Sequence, residues 1–163
     1  MISPRLFARE PEVWPATLRC VARHAELPRM LTHNDVHLEN CYLIPQGELG
    51  VNDWQNFCKG NRSRDFSYCL ATDTASAKRR AGERELLQYY LDQLCARGGR
   101  RLVFDDAWQL YRQQRFAALA WWPGTLGQPP EALAMPPPAT SLALIRGIVT
   151  AIDDLAALDS FQR

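Results

Sequence analysis

The sequence has 163 residues, of which 47% are hydrophobic and 23% are charged, and its formal net charge is +1 at pH 7. This length suits one domain with a sizeable buried core, and the composition is typical of a soluble globular protein rather than a disordered or fibrous chain. A net charge near zero provides no overall field to attract nucleic acid or an acidic membrane surface, so we expect neither as a partner.

Cysteine usage and hydropathy bear on the compartment. The five cysteines are odd in number, scattered along the chain and free of any C-x-x-C pair. This pattern favours reduced thiols over a disulfide framework or a zinc finger. The N-terminus has no apolar stretch of signal-peptide length, and no segment reaches the ~20 apolar residues of a membrane span. The sequence therefore predicts a cytoplasmic protein.

The first predicted element is an amphipathic helix between Glu10 and His24. Apolar residues recur there at three- and four-residue steps, Pro11 suits a first helical turn, and the helix is expected to end before Pro28. Its expected buried face consists of Val13, Trp14, Leu18, Val21 and Ala22. His24 is interpreted as a polar residue at the helix end, without a functional role.

The stretch from Leu31 to Gln55 contains the chemically informative residues. His33, Asp35 and Asn40 form the pattern H-x-D-x-x-x-x-N. The segment that carries them is too polar for a core strand. We therefore expect it to form a structured loop.

Two short β-like runs follow this loop, at 41–44 and 49–51, with turn residues at 45–47 between them. This arrangement predicts a hairpin. The hairpin would return Asp53 towards the loop that contains Asp35. Residues that are distant in sequence are thus expected to lie close together.

These residue types match the needs of phosphoryl transfer. The reaction requires a carboxylate directed at the attacking hydroxyl and hard oxygen ligands for Mg²⁺. Asp35 suits the first role, whereas the amide of Asn40 and the carboxylate of Asp53 suit the second. His33 is interpreted as a hydrogen-bonding strut of the loop. The alternative is a purely structural motif, in which His33, Asp35 and Asn40 only tie the loop together.

Four helical patterns complete the chain, and the first two lie before residue 100. An apolar segment that opens at Asp65 is expected to be helical, and a longer helix is expected from about 75 to 96, ended by Gly98 and Gly99. The basic cluster at 78–80 is interpreted as a solvated face of this helix.

The remaining two helices lie on either side of a segment rich in proline and glycine, 123–139. Asp105 or Asp106 is expected to cap the first, which would run until that segment, and Thr140 or Ser141 is expected to cap the second. The proline-rich segment is incompatible with a regular helix or a central strand. We interpret it as a rigid connection, with a substrate-facing loop as the alternative.

The motif HNDVHLEN at 33–40, followed by VNDWQ at 51–55 and RDFSYCLA at 64–71, resembles the catalytic and metal-binding loops of the aminoglycoside phosphotransferase and choline-kinase-like family. In this family the catalytic loop typically reads H-G-D-x-x-x-x-N, and a hairpin leads from it to an I-D-W or similar aspartate motif. The order, the spacing and the tryptophan all match.

The resemblance implies the C-terminal lobe of a protein-kinase-like fold, mainly α with a small β-hairpin. It would cover residues 1–163 as a single lobe, with the catalytic loop and metal-binding hairpin at about 30–57 and a helical subdomain at about 64–163. ATP as phosphate donor and Mg²⁺ are the implied cofactors. The implied site residues are the catalytic Asp35 and His33, the cofactor- and metal-binding Asn40 and Asp53, and the structural supports Asp65 and His37.

The sequence departs from the family pattern in two places. Asn34 replaces the usual glycine, although asparagine is among the residues that best tolerate a positive φ. The second departure concerns the nucleotide-binding N-terminal lobe, which supplies a strand lysine in this family. Only thirty-two residues precede His33, and both lysines, Lys59 and Lys78, follow it. We therefore expect the N-terminal lobe to be missing.

Three hypotheses of function follow. The first is an ATP- and Mg²⁺-dependent phosphotransferase lobe that transfers the γ-phosphate to a hydroxyl of a small molecule. This lobe would be incomplete as an isolated chain, and a partner chain or self-association would complete it. The second is a non-catalytic, pseudokinase-like remnant or interaction module. The third is a metallohydrolase that uses His33, Asp35 and His37 as ligands. The sequence does not identify the acceptor.

Overall fold

The structure is a computed structural model that describes residues 2–72, 75–129, 131–132 and 136–162. These residues form a mainly helical fold with two small antiparallel sheets. The helices are α1 (Pro4–Phe7), α2 (Glu10–Glu26), α3 (Arg62–Thr72), α4 (Ser76–Ala96), α5 (Phe104–Gln113), α6 (Arg115–Trp121) and α7 (Pro138–Asp154). The strands are β1 (Met30–Thr32), β2 (Cys41–Leu43), β3 (Leu49–Val51) and β4 (Cys58–Gly60). Among the described helices, none is both long and apolar enough to cross a membrane.

The helix predicted from residue 10 is confirmed as α2, with Pro11 in its first turn. Its predicted buried face is wrong except at Val13, which is half-buried against the core. The residues that face the core are Ala16, Thr17 and Cys20, whereas Trp14 is 65% exposed. Leu18 and Val21 are also exposed. Apolar residues lie on more than one side of α2, and contact with α6 decides which of them are buried.

The predicted hairpin is confirmed as β2 and β3, with Cys41 paired to Val51 and Gly47 at a φ of 82° in its turn. A second sheet was not expected. There β1 pairs with β4 in an antiparallel register that joins Met30 to Gly60. The composition of 57–63 is typical of a loop, but this segment contains β4 and the start of α3. Both strands have three residues, too few for a recognisable alternating pattern.

Two hydrophobic clusters meet at α3. The larger joins α3 to α2, α6 and α7 and includes Tyr68 and Ala71, whereas the smaller joins it to α4 and α5 and includes Leu70. The absence of a side chain at Gly147 allows α7 to approach closely, since a Cβ there would lie 2.7 Å from the carbonyl oxygen of Ala71. Helix α3 is thus held by packing on several sides.

The helix predicted from about 75 to 96 is confirmed as α4, but the later helix boundaries differ from the prediction. The helix expected from Asp105 or Asp106 divides at Gln114 into α5 and α6, and both aspartates lie in the first turn of α5 rather than at its cap. The last helix, α7, begins at Pro138 instead of Thr140 or Ser141. Proline suits a first helical turn because the N–H that it lacks would have no partner there.

The start of α7 corrects the interpretation of the proline-rich segment 123–139, because two of its residues are helical. Its first residues continue a 3₁₀ helix, Trp122–Thr125. Residues 130 and 133–135 of this segment lie outside the described residues. Its interpretation as a connection or as a substrate-facing loop stays a prediction.

A buried charged cluster joins α4, α5, α6 and α7. Arg79 is only 1% exposed and donates hydrogen bonds to Glu83, at 2.7 Å, and to Asp154. Glu83 also accepts a hydrogen bond from the hydroxyl of Tyr111 at 2.7 Å. Arg115 is fully buried, and burial lowers its pKa to about 9. The interpretation of 78–80 as a solvated face is therefore wrong for Arg79, which also binds Asp154, 75 residues away in the sequence.

Stability is expected to decrease with acidification because of His24. Its Nδ1 donates to Oε1 of Gln114 at 3.1 Å, and its Nε2 accepts the backbone N–H of Asn61 at 3.3 Å, which requires a neutral ring. Burial, followed by the nearby charge of Arg64, lowers the pKa of His24 below 6.5. The unfolded chain then binds more protons, so the free energy of unfolding should fall as the pH drops through about 6.5.

Urea unfolding between pH 8 and pH 5 measures this effect. The variant His24→Gln keeps a polar side chain without a titratable group and should have a flatter pH profile over the same window. Equal slopes for the variant and the wild type would assign the pH dependence to other groups.

Candidate functional site

Residues 33–40, which contain the H-x-D-x-x-x-x-N pattern, follow β1 and adopt an irregular backbone. Asn34 has a φ of 67°, which agrees with the conformation expected where the family pattern has glycine. Its side-chain Nδ2 donates to the carbonyl oxygen of Asn56 at 2.9 Å and also contacts the sulfur of Cys58. The same side chain therefore connects the loop to the segment that leads into β4.

Asp65, in the first turn of α3, binds the backbone of this loop. One carboxylate oxygen accepts the N–H of His33 at 2.8 Å, and the other accepts the N–H of Asn34 at 2.9 Å. Hydrogen bonds to a charged acceptor are stronger than those between neutral groups. Both contacts lie immediately before Asp35, so they set the direction in which its backbone leaves the loop.

His33 connects the loop to the hairpin. Its Nε2–H donates to the carbonyl oxygen of Asn52 at 2.7 Å, while its Nδ1 accepts the N–H of Asp35 at 3.3 Å. The ring is 3% exposed and packs against Trp54, with ring centroids 4.6 Å apart. Because both ring nitrogens form hydrogen bonds, His33 has no nitrogen left for a metal.

The metallohydrolase hypothesis is therefore overturned. It required His33, Asp35 and His37 to act together as ligands. In the part of the chain that the structure describes, no group of three or more His, Cys, Asp or Glu side chains is arranged to hold a metal ion.

Asn40 lies at the start of the hairpin and is buried. Its Nδ2 donates to the carbonyl oxygen of Asp35 at 2.9 Å and also faces Nε2 of His37 at 3.2 Å. With the amide nitrogen engaged on both sides, the carboxamide oxygen is the atom that remains to bind a ligand. Asn40 is thus oriented by the same loop that contains Asp35.

The hairpin brings Asp53 next to Asn40. The carbonyl oxygen of Asn40 accepts the N–H of Asn52 at 2.8 Å, so Asp53 is one residue beyond a direct cross-strand contact. Asp53 is exposed and has left-handed backbone angles, φ 55° and ψ 58°. Such a conformation is uncommon for a residue other than glycine and often marks a functional position. An amide oxygen and a carboxylate, both hard ligands, suit Mg²⁺.

The carboxylate of Asp35 contacts two aromatic side chains. Its Oδ1 accepts the hydroxyl of Tyr68 at 2.8 Å and lies 3.7 Å from Nε2 of His37. The ring of His37 in turn meets the edge of Trp122, with centroids 6.0 Å apart. The structure thus brings Asp35, Asn40 and His37 together.

Sequence reasoning missed the contact of Tyr68 and treated this residue only as part of an apolar segment. A partial signal was present, because Tyr68 follows Asp65 by three residues. On a helix, residues at this spacing lie on the same face. This spacing indicates only that Tyr68 and Asp65 share a side of α3, and the contact with Asp35 itself depends on how α3 packs against the loop.

Asp65→Asn is expected to destabilise the chain by about 1.5–3 kcal/mol, the range for a hydrogen bond to a charged group. Asparagine keeps one acceptor oxygen but presents an NH₂ group to one of the two backbone N–H groups, of His33 or Asn34. Urea unfolding measures the change. The matched control is Asp105→Asn on the exposed first turn of α5. Equal losses in the two variants would contradict a specific role of Asp65.

The fold and the site define a mainly helical protein in which a loop and a hairpin bring the amide of Asn40 to the backbone of Asp35. The model of a family described as the Phosphotransferase enzyme family matches residues 2–104 of the chain. The match spans more than half of the sequence and contains the loop, the hairpin, α3 and α4. The chain belongs to the Phosphotransferase enzyme family, which confirms the family resemblance inferred from the sequence. Searches of curated proteins and of solved structures found no match.

Proposed function

We propose that the chain is the C-terminal lobe of a kinase-like phosphotransferase that transfers the γ-phosphate of ATP to a hydroxyl of a small molecule. The position of Asn40 supports this proposal. Its amide nitrogen donates to the backbone of Asp35, and its own backbone carbonyl accepts the N–H of Asn52, the residue before Asp53. Hydrogen bonds of Asn40 therefore connect the proposed base, Asp35, to the residue that precedes the proposed metal ligand Asp53.

Each residue has a distinct role in the proposed site. Asp35 accepts the proton of the attacking hydroxyl, and the hydrogen bonds of Asp65 and His33 hold its loop. Asn40 and Asp53 would hold Mg²⁺ through their side-chain oxygens. When bound, the metal would neutralise charge on the phosphates of ATP. His37 supports the site through its contacts with Asn40 and Asp35.

The nucleotide-binding lobe belongs to the same proposal. In the described residues only the helices α1 and α2 precede β1, and Lys59 and Lys78 both follow the catalytic loop. We therefore assign nucleotide binding to residues outside the described part of the chain, either on the same polypeptide or on a partner chain. A cytoplasmic location, where ATP is abundant, is part of this proposal.

Paramagnetic NMR can test the proposal even when binding is weak. Mn²⁺ with ATP, used in place of Mg²⁺, should broaden the amide signals of Asn40 and Asp53 selectively. Asp53→Asn should reduce this broadening, whereas Glu48→Gln, an exposed substitution in the same hairpin, should preserve it. If the signals of Asp53→Asn were broadened as much as those of the wild type, or if only signals of other regions were broadened, the assignment of Asn40 and Asp53 as metal ligands would be contradicted.

A second candidate is the non-catalytic interaction module, and the exposed face of α2 favours it. Trp14, Leu18 and Val21 lie at four- and three-residue steps along the helix and are 65%, 52% and 57% exposed. An exposed apolar stripe of this kind is typical of an interaction surface. Self-association through it would appear as dimers in sedimentation at high concentration. A monomer under those conditions would count against this candidate.

A further inference from the structure

We propose that Tyr68 is a positioning residue that holds the carboxylate of Asp35 in the orientation needed to receive the proton of the acceptor. This inference rests on the proposed function. In that reaction the acceptor oxygen bonds to the γ-phosphorus as the bond to the oxygen of ADP breaks. The proton of the acceptor hydroxyl passes to Asp35.

The contact is short and shielded from water. The hydroxyl of Tyr68 donates to Oδ1 of Asp35 at 2.8 Å, and Tyr68 is only 2% exposed. The side chain of Asp35 is 14% exposed, so part of it still meets solvent. With Oδ1 bound by Tyr68, Oδ2 is the oxygen that remains for the acceptor. Rotation of the carboxylate would break the hydrogen bond, so Tyr68 restricts that rotation.

Tyr68 also stands on a rigid support, because its neighbour Ser67 anchors α3 at two points. The carbonyl oxygen of Ser67 accepts a hydrogen bond from Nη1 of Arg115 at 2.6 Å, and its hydroxyl donates to the carbonyl oxygen of Tyr111 at 3.2 Å. These bonds tie α3 to α6 and α5. A hydroxyl presented from this helix therefore has little freedom to move.

Helix α3 thus holds Asp35 in two ways. Asp65 binds the backbone just before Asp35, and Tyr68, one helical turn later, binds its side chain. Backbone and carboxylate are positioned by the same helix. Such double support is what a general base requires, since small misplacements of a reacting group lower the rate strongly.

The first test compares Tyr68→Phe with Tyr111→Phe. Both tyrosines are buried, and each donates one hydrogen bond to a carboxylate, Asp35 for Tyr68 and Glu83 for Tyr111. The readout is turnover of ATP with Mg²⁺ and with water as the acceptor, measured up to high ATP concentration because a lobe without its nucleotide-binding partner is expected to bind ATP weakly. Tyr68→Phe should lower kcat roughly ten- to a hundredfold with KM for ATP unchanged, whereas Tyr111→Phe should leave kcat unchanged. An unchanged kcat in Tyr68→Phe, or equal losses in both variants, would overturn the proposal.

The second test needs no activity and therefore separates this inference from the proposed function. Tyr68→Phe should lower the melting temperature by roughly 3–8 °C in the wild type, because a hydrogen bond to a charged group is lost. In the Asp35→Ala background the same substitution should lower it by less than about 1 °C. Equal losses in both backgrounds would overturn the role of Tyr68. If this difference is intact while Mn²⁺ with ATP leaves the amide signals of Asn40 and Asp53 unbroadened, the proposed function alone would be contradicted.

Discussion

Asp35→Asn is expected to lower the rate of phosphoryl transfer by roughly 10²–10⁴-fold, the usual contribution of a positioned general base. Asparagine cannot accept the proton of the acceptor hydroxyl, but its Oδ1 can still receive the hydroxyl of Tyr68. The fold of the loop should therefore persist, because Asp65 binds the backbone before Asp35 and not its side chain. Turnover of ATP with Mg²⁺ measures the rate, and thermal unfolding checks the fold.

Glu39→Gln is the matched control for this substitution. Glu39 is exposed and lies in the short 3₁₀ turn Leu38–Asn40 of the same loop. Glu39→Gln removes one negative charge, as Asp35→Asn does, but it should leave kcat nearly unchanged. If Asp35→Asn retained a rate close to that of the control, Asp35 would not be the base.

Glu83→Gln is expected to destabilise the fold by about 3–5 kcal/mol, the usual cost of breaking a buried ion pair. Glu83 accepts hydrogen bonds from Arg79 and Tyr111 at 2.7 Å each and lies 3.8 Å from Arg115. Two guanidinium groups are therefore buried around one carboxylate. Removing its charge leaves Arg79 with Asp154 alone and leaves Arg115 without a nearby negative charge in the cluster that the structure describes.

Chemical unfolding measures this loss, with Glu85→Gln as control. Glu85 lies two residues further along α4 and is exposed, so the same substitution there should change the free energy of unfolding by less than about 0.5 kcal/mol. A small effect of Glu83→Gln would show that Arg79 and Arg115 find other partners. The control separates this effect from any change in helix propensity.

Much of the local structure could be predicted from the sequence. The range of α2 follows from its apolar spacing and the end of α4 from Gly98, and the hairpin follows from two β-like runs around the turn at 45–47. Each of these features depends on residues within a few positions of one another. The second sheet was missed because β1 and β4 have three residues each and pair across at least 25 intervening residues, the number between Thr32 and Cys58.

The candidate site was predictable to a similar extent. The spacing of His33, Asp35 and Asn40 and the hairpin before Asp53 indicated phosphoryl transfer, and the family match confirms the class. The individual roles of these residues stay predictions. Tyr68 was missed because its contact depends on how α3 lies against the loop, and a tyrosine among apolar residues is most often part of a core.

The positions of α2, of α4 and of the hairpin, and the family of the protein, follow from the sequence, because these depend on local spacing and on short motifs. Three features follow only from the folded chain: the buried side of α2, the burial of Arg79 and the contact of Tyr68 with Asp35. Each of these depends on a partner element distant in the chain. Packing between such elements selects one face of a helix, and local periodicity cannot specify that choice.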